Sequence, residues 1–175
     1  RVHLDGARLW NAVVASGVTA SEYATCADSV SFCFSKGLGA PVGSILAGSA
    51  DFIRAAHGLR SRLGGSMRQV GVIAAAAAIA LRTRERLTED HELAGYLANG
   101  LAERFPGAVD VRQTETNIVV VEGSGLPWPA SRFVESLAAV GVLTAFIVPG
   151  VVRFCTHHNV DRTDADRVLA VADLL

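Results

Sequence analysis

Lysine is almost absent from this 175-residue chain: of 16 basic residues, 15 are arginine and one is Lys36. Methionine is as rare, with Met67 alone, and the chain opens on Arg1. The expectation is therefore a fragment, or a protein from which an N-terminal portion has been removed. Cysteine is scarce too. Cys26, Cys33 and Cys155 are too few and too scattered for a disulfide framework, and none forms a C-x-x-C pair. Each lies in an apolar stretch, which reads as small buried thiols in a reducing cytosol. No charge excess exists: the formal net charge of −1 excludes an electrostatic nucleic-acid binder. No hydrophobic run spans a bilayer. The most apolar, residues 70–81, would rise only about 18 Å as a helix. It is alanine-rich and apolar on every side, which predicts a helix buried in a soluble protein. The first residues carry charge and lack the apolar core of a secretory signal. These absences point to the cytoplasm and to no membrane or nucleic-acid partner.

What remains is the composition of a packed globular protein. Half of the residues are hydrophobic and 19% are charged, which excludes a disordered tail, a collagen-like chain or a charged linker. Alternation predicts strands over residues 1–5 and 29–35, the second with Val30, Phe32 and Phe34 on one face and Ser31, Cys33 and Ser35 on the other. Helices are expected over 7–15, 19–25 and 51–63, the last carrying Phe52, Ile53, Ala56 and Leu59 and ended by Gly64 and Gly65. A return strand over 42–47 lies between the second and third. Residues 69–105 are helical in pattern with a break near Thr83, and Leu93, Leu97, Leu101 and Phe105 repeat every four residues. Beyond Pro106 and Gly107, strands are expected over 109–112, 117–121, 142–144 and 151–156, and a helix over 132–140. A final helix, capped by Thr163 or Asp164, carries Val168, Val171 and Leu175 on one face. This order gives an α/β unit over 1–83 and a small α+β domain, ββαββα, over 84–175. Strands that alternate with helices imply parallel pairing, with ligands at the carboxyl ends of strands. Asp5 and Lys36 stand at such ends.

A solitary lysine is ordinarily a solvated surface residue. Lys36 has a different context, Ser35-Lys36-Gly37-Leu38-Gly39-Ala40-Pro41, directly after an apolar strand. The glycines and proline forbid a helix there and let a ligand approach the backbone. In a chain that gives every other cationic role to arginine, one lysine points to chemistry that arginine cannot perform: only an amine that can lose its proton forms an imine with a carbonyl. Asp5, in His3-Leu4-Asp5-Gly6, reads alone as a turn or a helix cap. Beside Lys36 it acquires a second meaning. Pyridoxal phosphate needs an amine to anchor it and a carboxylate to keep its ring nitrogen protonated, so that the ring can act as an electron sink.

His3-Leu4-Asp5-Gly6-Ala7-Arg8, Ser35-Lys36-Gly37-Leu38-Gly39-Ala40-Pro41-Val42-Gly43-Ser44 and Arg62-Leu63-Gly64-Gly65-Ser66-Met67-Arg68-Gln69 resemble the low-specificity L-threonine aldolases, which are fold-type-I pyridoxal-phosphate enzymes. Thr116-Asn117-Ile118-Val119 and Val152-Arg153-Phe154-Cys155-Thr156-His157 match the same pattern, in order, so the resemblance covers the whole chain. Ser66 departs from it, where the family usually has a third glycine.

The resemblance implies an α/β fold. Residues 1–83 would be the later part of a large cofactor domain, a mostly parallel sheet with helices on both faces. Residues 84–175 would be a small α+β domain. It further implies that Lys36 holds pyridoxal 5'-phosphate as the internal aldimine and that Asp5 pairs with the ring nitrogen. Arg8 would lie beside the phenolic oxygen and the substrate carboxylate, Arg153 would grip the substrate α-carboxylate, and Arg68 would reach cofactor phosphate, that of a neighbouring subunit. The implied reaction cleaves L-threonine or L-allo-threonine to glycine and an aldehyde through a quinonoid. The base for the hydroxyl proton, a histidine or a held water, is expected upstream of Arg1. The implied assembly is a homotetramer, a dimer of dimers.

Two alternatives stand beside this reading: another fold-type-I reaction such as β-elimination, and a truncated, non-catalytic chain lacking the N-terminal half of the site. The remaining features are plainer. His3 faces the side of Asp5 and either steadies it or is structural. His57 and His91 are expected on solvated helix surfaces. His157 and His158 are adjacent, cannot share one helical face, and suggest no metal site. No G-x-G-x-x-G dinucleotide fingerprint is present. The run Arg82-Thr83-Arg84-Glu85-Arg86 reads as a solvated helix face of mixed charge.

Overall fold

β1 (His3–Asp5) and β2 (Ser29–Cys33) pair in parallel in the computed structural model, which describes residues 1–175. The register sets His3 against Ser29, Leu4 against Val30 and Asp5 against Ser31. β3 (Ser44–Gly48) returns antiparallel on the far side of β2, so the sheet order is β1-β2-β3. Within this chain the sheet is therefore half parallel and half antiparallel. Two helices connect the parallel pair. α1 (Leu9–Ser16) ends at Gly17, whose φ of +72° closes the last turn by donating to the Val13 carbonyl. α2 (Ala20–Thr25) starts at a reciprocal Thr19–Glu22 capping box.

α3 (Ala50–Arg62) and α4 (Gly71–Arg82) follow β3. A 3-10 turn over Arg84–Arg86 then leads to Leu87, the last residue of this first unit, Arg1–Leu87. Its core is small: Leu38, Ala40, Ala77, Ala80 and Leu87, with Trp10, Val14, Phe32 and Phe34 packed against them. The Trp10 and Phe34 rings meet Phe32 edge-on at centroid separations of 5.8 and 5.1 Å. The apolar run over residues 70–81 is helical as expected but not buried. Only Ala77 and Ala80 are enclosed, while Val72 and Ile79 are 79% and 59% exposed. An all-round apolar helix needs cover on every side, and one alanine stripe is all that this unit covers. α3 has no buried residue either, although its apolar spacing is as read.

The second unit, Thr88–Leu175, is built from α5 (Leu87–Arg104, whose first residue belongs to the first unit), β4 (Ile118–Glu122), α6 (Ala130–Ala139), β5 (Ala145–Val148), β6 (Val151–Cys155) and α7 (Arg162–Leu174). Its sheet has the order β4-β6-β5 and is wholly antiparallel. One face is dry: Val119, Val121, Val152 and Phe154 point into a core with Leu97, Leu101, Phe133, Leu137 and Val168. The four-residue repeat on α5 and the apolar face of α7 both supply this core, as their periodicity predicts. Arg104 on α5 donates to both carboxylate oxygens of Asp173 on α7, at 2.7 and 2.8 Å, which holds the Asp173 carboxyl below the usual carboxylate range.

Four expectations are corrected here. Residues 109–112 are not a strand. The Asp110 side chain accepts from the Arg112 N–H and closes a 3-10 turn over Val111–Gln113, so the element order after α5 is βαββα rather than ββαββα. The strand expected over 142–144 begins at Ala145, because Gly141 and Val142 are spent closing the end of α6. The cap of α7 is Asp161, with Asp164 its reciprocal partner. His91 is half-buried rather than solvated, and burial pushes its ring below the usual histidine value of 6.5, with Asp90 opposing.

Phe133 is fully enclosed and touches the rings of Phe105, Trp128 and Phe154. Phe133→Ala is expected to cost about 3–5 kcal/mol in urea unfolding. The unfolded chain protonates His91 before the folded one does, so its contribution is full above the unfolded pKa and is lost as pH falls below it. His91→Gln should therefore lose less stability than the parent between about pH 7 and pH 5, as urea midpoints at the two pH values would report.

Candidate active site

Beyond Cys33 the chain leaves the sheet and turns. The Phe34 N–H donates to the Gly43 carbonyl at 2.9 Å, the Ala40 N–H to the Phe34 carbonyl at 3.0 Å, and the Gly39 N–H to the Lys36 carbonyl at 2.8 Å. Gly39 sits at φ +82°, which a side chain would strain. Leu38 and Ala40 are buried, whereas Lys36 is exposed. The turn is thus anchored by its apolar residues and presents its amine. Gly37 is tightly enclosed; a Cβ there would lie 2.9 Å from Leu87 Cδ2 and 3.2 Å from Asn11 Oδ1.

Asp5 ends β1 abreast of Ser31, and the next residue, Gly6, donates its N–H to the Ser31 carbonyl at 2.8 Å. Asp5 and Lys36 therefore stand at the carboxyl edge of two adjacent parallel strands. The Asp5 carboxylate is exposed and accepts no hydrogen bond within the chain. His3 does not steady it: its ring nitrogens bond instead to Ser29 Oγ at 2.8 Å and Ser31 Oγ at 3.2 Å, because the parallel register puts those hydroxyls alongside. Arg8 occupies the N-cap position of α1, three residues after Asp5, and its Nε is buried with no partner.

The arginines divide into two groups. Most are tied down, for example Arg1 to Asp28, Arg84 over the Trp10 ring at 5.2 Å, Arg104 to Asp173 and Arg162 over the Tyr96 ring at 3.4 Å. Arg8, Arg62, Arg68, Arg132 and Arg153 make no side-chain hydrogen bond, ion pair or ring contact within the chain. Three of these five are candidates from the sequence. Arg68 is exposed on the connection between α3 and α4, beside Gln69, which is held at φ +50°. Arg153 belongs to the second unit. It projects from β6 on the face opposite Val152 and Phe154 and lines a cavity of about 590 Å³ together with Thr144, Cys155, His157 and Arg167. Thr144 Oγ1 donates to the Arg153 carbonyl at 2.6 Å. In the same unit Asn117 is buried and donates to the Thr156 carbonyl at 2.8 Å, while Thr156 Oγ1 donates to the Asp90 carbonyl at 2.6 Å.

Two further expectations are overturned. The cysteines are not buried: Cys26 and Cys155 are exposed and Cys33 is half-buried. Cys33 and Cys155 alternate with inward-facing residues on their strands, so the pleat turns them outward. The charged run over residues 82–86 is not simply solvated. Arg84 stacks on Trp10, and Arg86 is half-buried and donates Nη2 to the Gly37 carbonyl. The one hint in the sequence is the break near Thr83 followed by an apolar Leu87, which marks a turn that packs.

A family model described as beta-eliminating lyase matches residues 1–124. The chain belongs to the beta-eliminating lyase family. The resemblance to low-specificity threonine aldolases is borne out within it. The chain is 44% identical over 172 residues to an Arabidopsis thaliana protein named "Probable low-specificity L-threonine aldolase 2", covering 97% of this chain and 48% of that protein. It is 40% identical to the low specificity L-threonine aldolase of Escherichia coli K12, covering 97% and 49%. The chain thus spans about half the length of the curated relatives it matches. A solved structure from Exiguobacterium sp. 255-15, described as an aromatic amino acid beta-eliminating lyase/threonine aldolase, superposes with a TM-score of 0.75 at 26% identity, over 99% of this chain and 52% of that one. The fold is that of the fold-type-I pyridoxal-phosphate enzymes.

Asn117→Ala in this family member leaves a buried carbonyl without its donor and is expected to cost about 1–3 kcal/mol in denaturant unfolding.

Proposed function

We propose that the protein carrying this chain is a pyridoxal-phosphate-dependent aldehyde-lyase that cleaves L-threonine or L-allo-threonine, and β-hydroxy-α-amino acids of that kind, to glycine and an aldehyde. The observation that carries the reading is the carboxyl edge of the β1–β2 pair. There a carboxylate (Asp5) ends β1 and an amine (Lys36) lies in the turn that follows β2, neither with a partner inside the chain, and Asp5 is close in sequence to Arg8, whose Nε is buried and unpaired. An orphaned buried donor is costly unless something else meets it, so these residues fit the cofactor. The family match and the named aldolases among the relatives support the same chemistry.

When bound, pyridoxal phosphate supplies a ring that accepts the electron pair of a bond broken at Cα. The rest falls to the chain. Lys36 would hold the cofactor covalently through its amine, a role the always-protonated guanidinium cannot take. Asp5 would hold a proton at the ring nitrogen. Arg8 would lie beside the phenolic oxygen and the substrate carboxylate. Arg153, projecting unpaired into its cavity, would take the α-carboxylate in a two-pronged grip and so orient the bond to be broken. Arg68 is assigned to phosphate, that of a neighbouring subunit. The reaction breaks the Cα–Cβ bond, releases the β-carbon as an aldehyde as the hydroxyl proton leaves, and returns a proton to Cα.

We assign the cofactor role to residues 1–83 and the carboxylate-binding role to 84–175. We further propose a cytoplasmic homotetramer. Exposed apolar residues such as Val72, Ile79 and Ile147 support association, and no helix is long and apolar enough to cross a membrane.

Adding pyridoxal phosphate should produce a yellow, borohydride-sensitive adduct that is absent in Lys36→Ala; a yellow adduct that persists in the variant would sink the assignment. Threonine should yield glycine and acetaldehyde. Release of 2-oxobutyrate instead would make the reaction an elimination. Asp5→Asn is expected to lower kcat by on the order of 10²-fold. Arg153→Lys should raise KM about tenfold or more with a smaller change in kcat.

A further inference from the structure

We infer that Arg86 is a positioning residue for the Lys36 amine: its guanidinium clamps the carbonyl of Gly37, the residue next to Lys36. The inference rests on the role proposed for Lys36 above and deepens it. Lys36 is exposed, and its side chain has no partner, so its own contacts do not decide where the amine stands. The backbone beside it does. Arg86 Nη2 donates to the Gly37 carbonyl across 49 residues of sequence. Leu87, fully buried, and Asn11, buried on α1, enclose the same glycine from two other elements, so that a Cβ added there would lie 2.9 Å from Leu87 Cδ2 and 3.2 Å from Asn11 Oδ1 and would force them to shift. The clamp is itself braced. Arg84, two residues before Arg86, lies over the Trp10 ring on α1, and Trp10 packs edge-on against Phe32 in β2, the strand that leads into the turn. The 3-10 turn over Arg84–Arg86 thus ties α1, β2 and the Lys36 turn into one unit. Arginine suits the clamp because its charge persists at every working pH, and a hydrogen bond from a charged donor is stronger than a neutral one.

The test uses the full-length protein that carries this chain, with three variants: Arg86→Met, which keeps the aliphatic stem and loses the donors, Arg86→Lys, which restores a charged donor, and Arg86→Gln as a second check on folding, since its shorter side chain keeps a polar amide but does not span to Gly37. The probe is pyridoxal phosphate. Arg86→Met should slow the appearance of the yellow adduct about tenfold, the size expected for one lost hydrogen bond. Without cofactor it should speed amide hydrogen exchange at Gly39 and Ala40, whose N–H groups close the Lys36 turn, while exchange in the second unit stays unchanged. Arg86→Lys should recover part of both effects. A role in stability alone would instead lower the melting temperature and raise exchange throughout the unit, with no selective change at the turn, and would overturn the inference. Adduct formation and turn exchange in Arg86→Met equal to those of the parent overturn it too. So does the parent's behaviour in Arg86→Gln if the methionine variant does not fold. Failure of the parent to form the adduct, or its persistence in Lys36→Ala, overturns the cofactor role instead, and the exchange measurement still decides the clamp.

Discussion

The parallel pairing of β1 with β2 is the constraint on which the candidate site depends. Two strands that run the same way end on the same edge, so the last residue of β1 and the turn after β2 lie on one side of the sheet although about thirty residues separate them in sequence. The pairing is register-sensitive, since a slip of one residue would turn every side chain to the other face. His3 opposes such a slip by bonding both Ser29 and Ser31, the two β2 residues that flank Val30. The structural work of that histidine is to hold the register that places Asp5, rather than to touch Asp5 itself.

The chain also sorts its cations. Arginines that brace the scaffold are matched to carboxylates, carbonyls or rings, where a planar fork with several donors suffers no penalty for staying charged. Arg8, Arg68 and Arg153 are not matched within the chain, and each stands near a strand end, a loop or a cavity where an anionic group could be met. Lys36 differs from all of them in chemistry, since its amine can exchange its charge for a covalent bond. Substituting arginine there would preserve the charge and abolish that capacity.

The first unit and the second differ in how far they satisfy themselves. The second closes its core around Phe133, Leu101 and one face of a three-stranded sheet. The first encloses little more than the contacts beneath the Lys36 turn, and leaves most of α3, β3 and α4 uncovered. That contrast explains why the pattern over residues 70–81 is right about the helix and wrong about its burial: periodicity reports which side chains can be buried, not whether a partner in the same chain buries them. The cysteines depart from expectation for a related reason. Apolar neighbours on a strand point to the opposite face, so Cys33 and Cys155 are turned away from the very residues that make them look buried. Residues 109–112 depart from it because a local hydrogen bond to Asp110 competes with strand pairing, which strand propensity does not count.

By itself the sequence determined the strand end that carries Asp5, the turn that carries Lys36, the helices with sustained periodicity, the helical break near Thr83 and the family. The elements follow from spacing and residue chemistry that do not depend on distant contacts, and the family from the resemblance carried by the motifs around Asp5, Lys36 and Arg153. Only the tertiary structure decided which strands pair in parallel, that His3 serves the register, and that the charged run after Thr83 folds back onto Gly37. Those outcomes join residues far apart in the chain, and they are chosen by packing against surfaces that exist only once both partners have folded.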